Sequence, residues 1–190
     1  MTQQKVIMVH GWGGNNSDGW FGPLKKELEK EEIIVINPNM PDALNPKIEA
    51  WVGGLRDVSG EINENTYFIG HSIGCQTIMR FLERLKENEI SGGSILIAPW
   101  FNLSDETWDD KYTKEIAKPW IETPIDFKKI KEHTKKILTI FSDNDPYVPL
   151  SDSELFKKNL NAEVMIIKNR EHIEKLNKKE IKIIIDFVKK

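Results

Sequence analysis

A serine framed by glycines, an aspartate ahead of a Val-Pro pair and a histidine near the C-terminus are the residues of this chain best suited to covalent catalysis. Ser72 lies in Gly70-His71-Ser72-Ile73-Gly74, the G-x-S-x-G spacing in which a hydroxyl projects from a sharp strand-to-helix turn. Strand and helix cross closely at such a turn, so the residues two before and two after the serine need minimal side chains. Gly70 and Gly74 supply them. A serine hydroxyl is a poor nucleophile at neutral pH. It needs a base, and the base needs an acid group that fixes its tautomer and stabilises the imidazolium. Asp143, Asp145 and His172 follow Ser72 in the order acid then base. Either aspartate could supply the acid. Asp145 is favoured because it stands three residues before Val148-Pro149, a spacing frequent in hydrolytic enzymes with this residue order.

These residues need a scaffold that gathers them. Residues 5–9, 33–36, 66–69, 94–98, 136–141 and 164–167 are short apolar runs of strand type, each expected to be buried. Between and after them, residues 20–30, 46–58, 75–88, 155–160 and 174–188 carry helical periodicity, interrupted in the second by Gly53-Gly54. The alternation predicts an α/β chain with a six-stranded parallel sheet and helices on both faces. Crevices in such sheets open at the carboxyl ends of the strands, where Ser72, the two aspartates and His172 all fall. His172 alone of the four histidines follows the last strand; His10 and His71 are expected to brace turns, and His133 to lie at the far edge of the sheet.

Residues 10–16, His-Gly-Trp-Gly-Gly-Asn-Asn, form a glycine-rich loop after the first strand. It lacks the Gly-Lys-Ser/Thr ending of a phosphate loop, and Asn16 occupies the third glycine position of a dinucleotide fingerprint. Its better use is to bring backbone N–H groups to a reacting carbonyl. The N–H groups of Trp12 and Ile73 are the candidate oxyanion hole, aided by the positive end of the helix after Ser72. Residues 99–125 are aromatic and low in periodicity, which predicts a cap or binding loop, with Trp12, Trp100, Trp108 and Trp120 as candidate pocket residues.

At 190 residues, 39% hydrophobic and 30% charged, the chain is expected to form one domain spanning residues 1–190. A net charge of −3 argues against a nucleic-acid surface, and Lys178, Lys179, Lys182, Lys189 and Lys190 fall on a helical period as a solvated face. The single cysteine, Cys75, excludes an internal disulfide and suits packing at the apolar start of a helix. The apolar run before His10 is only four residues long, Val6 to Val9, so no signal peptide, membrane span or membrane partner is expected, and a cytoplasmic location is. The chemistry calls for no cofactor or metal, and no pattern specifies an oligomeric state.

His10-Gly11, Asn37-Pro38-Asn39-Met40-Pro41 with Trp51, Gly70 to Cys75 with Arg80-Phe81-Leu82, and Asp145-Pro146-Tyr147-Val148-Pro149 together resemble the YdeN and retinoblastoma-binding-protein-nine family of small serine hydrolases. The likeness spans most of the chain. It implies a compact α/β-hydrolase fold, hydrolysis of small esters with some action on amides, and the residues Ser72, Asp145 and His172. Family members carry glycines before the histidine and phenylalanine after it, whereas here the run is Asn169-Arg170-Glu171-His172-Ile173. Two expectations follow. One is a serine hydrolase taking a small-molecule ester or amide; the other is a hydrolase-shaped protein that binds a ligand or partner without catalysis.

Overall fold

Branched apolar residues dominate the strands, and alternate residues of each strand meet helices on opposite sides. The computed structural model describes residues 3–108 and 111–190, with the side chains of Glu106 and Trp108 outside that description. Strands β1 (Lys5–Val9), β2 (Ile34–Ile36), β3 (Thr66–His71), β4 (Gly93–Ile97), β5 (Ile137–Ser142) and β6 (Glu163–Ile167) pair in parallel in the order 2-1-3-4-5-6. Val6, Met8, Tyr67, Ile69, Ile95, Ile97, Leu138 and Ile140 face helices α1 (Phe21–Lys30) and α7 (Lys178–Lys189). Ile7, Val9, Phe68, Leu96 and Phe141 face α2 (Ile48–Ser59), α3 (Ile73–Leu82), α4 (Lys111–Glu122), α5 (Phe127–Glu132) and α6 (Asp152–Leu160). Both faces are therefore covered, as the near-continuous apolar runs require.

Several boundaries differ from the sequence expectation. Strands β2 and β6 are sheet edges rather than buried strands; Ile34 is 45% and Ile166 50% exposed. Helix α3 stops at Leu82, where the N–H groups of Arg84 and Leu85 turn to carbonyls three residues back. Helix α7 starts at Lys178, later than expected, because Asn177 and Glu180 form a reciprocal capping box: the Asn177 side chain accepts from the Lys179 and Glu180 N–H groups, and Glu180 accepts from that of Asn177. The largest difference lies in residues 99–125, which contain a 3-10 turn (Asp105–Trp108) and α4 rather than irregular chain. Pro119 inside α4 masks the helix in sequence, yet Ile116, Ala117 and Trp120 sit at helical spacing and are buried.

Arg80 fastens that helix to the nucleophile helix. Its guanidinium, fully buried on α3, donates to the carbonyls of Trp120 at 2.7 Å, Thr123 at 2.9 Å and Pro124 at 3.4 Å. These lie at the C-terminal end of α4, where carbonyls lack helical partners and a positive charge is favourable.

Two imidazoles are buried at the carboxyl ends of adjacent strands. His10 Nδ1–H donates to the Gly11 carbonyl at 2.8 Å, and its Nε2 accepts the Met40 N–H at 2.9 Å, so both nitrogens are occupied in the neutral ring. Burial lowers its pKa. Burial, with His172 adding to it, pushes His71 down to about 3. A histidine in an unfolded chain titrates at about pH 6.5. Between that value and about 3 the unfolded chain therefore binds protons that folded His71 refuses. The fold keeps its full stability above the upper limit and loses it as pH falls through the window.

Thermal melts between pH 7 and pH 4 are accordingly expected to show a falling midpoint, with a shallower dependence in His71→Gln. The helix glycines separate by their surroundings. A Cβ at Gly53 meets nothing within 4 Å, whereas one at Gly74 would lie 2.6 Å from the His10 carbonyl oxygen. Gly53→Ala should stabilise by about 0.5–1 kcal/mol. Gly74→Ala should destabilise by about 1–3 kcal/mol in denaturant titrations.

Candidate active site

The turn at Ser72 is set by its neighbours. Strand β3 ends at His71, α3 begins at Ile73, and Ser72 between them has φ 52° and ψ −120°, a conformation that L-residues rarely adopt. Its N–H donates to the Ile97 carbonyl at 2.9 Å, tying the turn to β4. A Cβ on Gly70 would come within 2.9 Å of the Cys75 nitrogen, so neither framing glycine admits a side chain. Ile73 is the first residue of α3 and its N–H has no carbonyl four residues back to reach. Among the described residues, neither that N–H nor the Trp12 N–H has a protein acceptor. Gly11 packs against the turn, its hydrogen occupying a place where a Cβ would meet His71 Nδ1 at 3.0 Å.

The acid and the base come from the loops after β5 and β6. His172 Nδ1 donates to Asp145 Oδ2 at 2.8 Å, and the Asp145 side chain is 2% exposed. Its other oxygen accepts the N–H groups of Tyr147 at 2.9 Å and Val148 at 3.0 Å, which hold the carboxylate in its orientation. With Nδ1 carrying the hydrogen, the neutral ring keeps a lone pair on Nε2, the form a general base requires. Asp143 serves the backbone instead, its Oδ1 accepting the Asn169 N–H at 2.8 Å.

Four successive residues of one loop thus hold four successive residues of the other. Ser142 Oγ accepts the Arg170 N–H at 3.1 Å, Asn144 Oδ1 accepts the Glu171 N–H at 2.9 Å, and the Asp143–Asn169 and Asp145–His172 bonds complete the set. The histidine loop needs this support. Asn169, Glu171 and Ile173 have φ of 55°, 49° and 56°, and the last is a β-branched residue buried in the core.

Ser72 and His172 line one cavity of about 380 Å³, together with Trp12, Ile73, Trp100 and Leu103; Thr107, Tyr112, Thr113 and Tyr147 complete the rim. Among the described residues no hydrogen bond joins the Ser72 hydroxyl to His172; such bonds commonly tighten only with substrate in place. Trp12 is anchored by its ring N–H on the Leu44 carbonyl at 2.9 Å, which also accepts the Tyr112 hydroxyl at 2.9 Å. The tyrosine ring of Tyr147 stands edge-on to His172 with centroids 5.1 Å apart.

Of the four tryptophans expected here, Trp12 and Trp100 line the cavity. The Trp108 side chain lies outside the described residues. Trp120 is elsewhere: it is buried against Trp51, and its ring N–H donates to the Pro46 carbonyl at 3.0 Å. An indole whose N–H finds a buried carbonyl is a core residue as readily as a pocket wall. Sequence reasoning missed Tyr147, which lay in plain view two residues after Asp145. It also missed Asp152, fully buried on α6, whose carboxylate accepts the N–H groups of Phe101 at 2.6 Å and Asn102 at 2.8 Å and so fixes the loop that carries Trp100.

Among the described residues, no group of three or more histidine, cysteine or acidic side chains is placed to hold a metal ion, and no helix is long and apolar enough to cross a membrane.

Comparison with known proteins places the chain in a family. The chain is 31% identical to YdeN of Bacillus subtilis (strain 168) over 172 residues, which span 90% of this chain and 86% of that one. It is 25% identical to the serine hydrolase RBBP9 of Rattus norvegicus over 173 residues, 90% of this chain and 87% of the relative. The crystal structure of the B. subtilis ydeN gene product superposes with a TM-score of 0.86 at 27% identity, covering 99% of this chain and all of that one, so the α/β-hydrolase fold is shared. The family model described as serine hydrolase matches residues 6–178, and the chain belongs to that family.

Proposed function

We propose that this family member is a carboxylesterase-type hydrolase of small, uncharged acyl esters, working through Ser72, Asp145 and His172. The observation that carries the reading is the 2.8 Å bond from His172 Nδ1 to the buried Asp145 carboxylate, in a histidine that shares an apolar cavity with Ser72.

In this reading the substrate carbonyl sits over Ser72. His172 Nε2 takes the hydroxyl proton as Oγ attacks, and Asp145 stabilises the imidazolium without itself being protonated. The oxyanion of the tetrahedral intermediate accepts from the Trp12 and Ile73 N–H groups, which are free to donate to it. Collapse expels the alcohol, which takes its proton from His172. A water then enters, loses a proton to His172 and releases the acid, regenerating Ser72. Trp100 and Leu103 would then line the acyl side. Amides of similar shape would be slower substrates of the same residues.

Among the described residues, no lysine, arginine, aspartate or glutamate lines the cavity, so a carboxylate on the acyl group would be desolvated without a partner. Neutral butyryl esters should therefore exceed succinyl monoesters in kcat/KM by about 10²-fold or more; a preference for the charged acyl group would contradict the proposed pocket.

The triad is tested on purified protein with a fluorophosphonate probe and short p-nitrophenyl esters. Labelling should occur at Ser72 and vanish in Ser72→Ala, with turnover falling by about 10⁶. Asp145→Asn should leave the fold intact and reduce turnover by about 10⁴. A wild-type protein that neither labels at Ser72 nor cleaves these esters would favour instead a hydrolase-shaped binding protein.

A further inference from the structure

We infer that His71 is a positioning residue for the general base, joining the strand that carries the nucleophile directly to the loop that carries His172. The inference rests on the triad reading above and deepens it. Asp145 holds the imidazole side chain; His71 holds the backbone behind it.

The geometry is specific. His71 is the last residue of β3 and the neighbour of Ser72, and its side chain is buried on the sheet face that packs against α1 and α7. Its Nε2 lies 2.9 Å from the His172 carbonyl oxygen. A carbonyl can only accept, so this nitrogen carries the hydrogen. The two imidazole centroids are 4.9 Å apart. Trp20 from the start of α1 packs edge-on against His71 at 5.9 Å, and its own ring N–H donates to the next carbonyl, that of Ile173, at 3.0 Å. Two adjacent carbonyls of the histidine loop are thus each capped by a buried ring N–H.

That loop has reason to need such capping. Residues 171 and 173 flank the base with positive φ, a conformation that persists only when the surroundings over-determine it. The side chains of Asn144 and Asp145 hold the loop from the β5 side, while His71 and Trp20 hold it from the α1 side. Among the described residues only His71 does so from a residue bonded to the nucleophile, so the shortest link from Ser72 to His172 is one hydrogen bond and the peptide between His71 and Ser72. The donor must also be uncharged. A cation beside His172 would oppose the imidazolium that forms during proton transfer. The ionisable groups around His71 are His172, His10 and Asp145, with Asp18 and Glu174 lining the small cavity on its other side. Burial keeps the His71 ring neutral among them.

The test compares His71→Gln, whose amide N–H can occupy the Nε2 position, with His71→Phe, which fills the space without a donor. The readouts are steady-state ester hydrolysis, the pH dependence of fluorophosphonate labelling, and hydrogen exchange of residues 169–173. His71→Phe should lower kcat by about 10- to 100-fold, as a slight misplacement of a catalytic group does. KM should change little, exchange in the loop should quicken, and the pH profile of labelling should shift. His71→Gln should recover most of the loss in rate and loop protection. A His71→Phe protein with the wild-type labelling rate and pH profile would overturn the inference while leaving the triad standing. So would equal losses in both variants accompanied by lowered melting points, which would mark His71 as a packing residue only. If the wild type is not labelled at all, the triad reading fails, and the exchange comparison still decides whether His71 holds the loop.

Discussion

The N-terminus of α3 runs so close to the end of β1 that no side chain fits at residue 74, and much else at this edge of the sheet follows from that approach. The atoms in the way are the backbone carbonyls of Val9 and His10, the residues that lead into the Trp12 loop. One close contact therefore registers the serine turn and the glycine-rich loop against each other. Ser72 is forced to φ 52° because the chain must reverse from strand to helix with no room on either side. Among the described residues, the N–H groups of Trp12 and Ile73 are left without acceptors beside it. A polar backbone group without a partner is normally a liability, and here both belong to residues lining the same cavity as the serine hydroxyl.

What the amino-acid order revealed, and what it hid, divides along physical lines. The central strands were legible because a parallel sheet covered on both faces demands unbroken apolar runs, as Val6 to Val9 and Ile95 to Ile97 supply. The same logic could not distinguish edge from centre, since Ile34 and Ile166 are as apolar as their buried counterparts while facing outward. Helix α4 was obscured by Pro119, and α5, at six residues, is too short to display a period. At the site, residue type and order were enough to single out Ser72, Asp145 and His172 as the group to examine. The roles of Asp152, Arg80 and Tyr147 depend on partners 40 or more residues away in sequence or on ring packing, which no local pattern encodes. Trp120 illustrates the converse: an aromatic in an irregular-looking stretch suggested a pocket, and a tertiary partner, Pro46, drew it into the core.

The histidine loop explains a departure visible in the sequence. Glycines ahead of the histidine in similar proteins would meet positive φ without strain, and this chain has Asn169 and Glu171 in that conformation instead. Asparagine tolerates it well; glutamate and the β-branched Ile173 do so less readily, at about 1–3 kcal/mol each. The offset comes from many small sources: ring N–H groups on the carbonyls, side-chain oxygens on the N–H groups, and complete burial of Ile173. Arg170 adds another, reaching the carbonyl of Lys175 and the carboxylate of Glu180 at the start of α7.

The matched pairing of residues 142–145 with residues 169–172 carries an evolutionary consequence. Each bond in the set uses a side-chain oxygen from the first loop, and three of the four use only a backbone N–H from the second. This set of bonds therefore places no demand on the side chains at 169–171, although Arg170 is tied separately to Glu180. It does constrain loop length. Deleting or inserting a single residue inside either segment would break the pairs on one side of the change, so lineages retaining this arrangement should keep the same number of letters here.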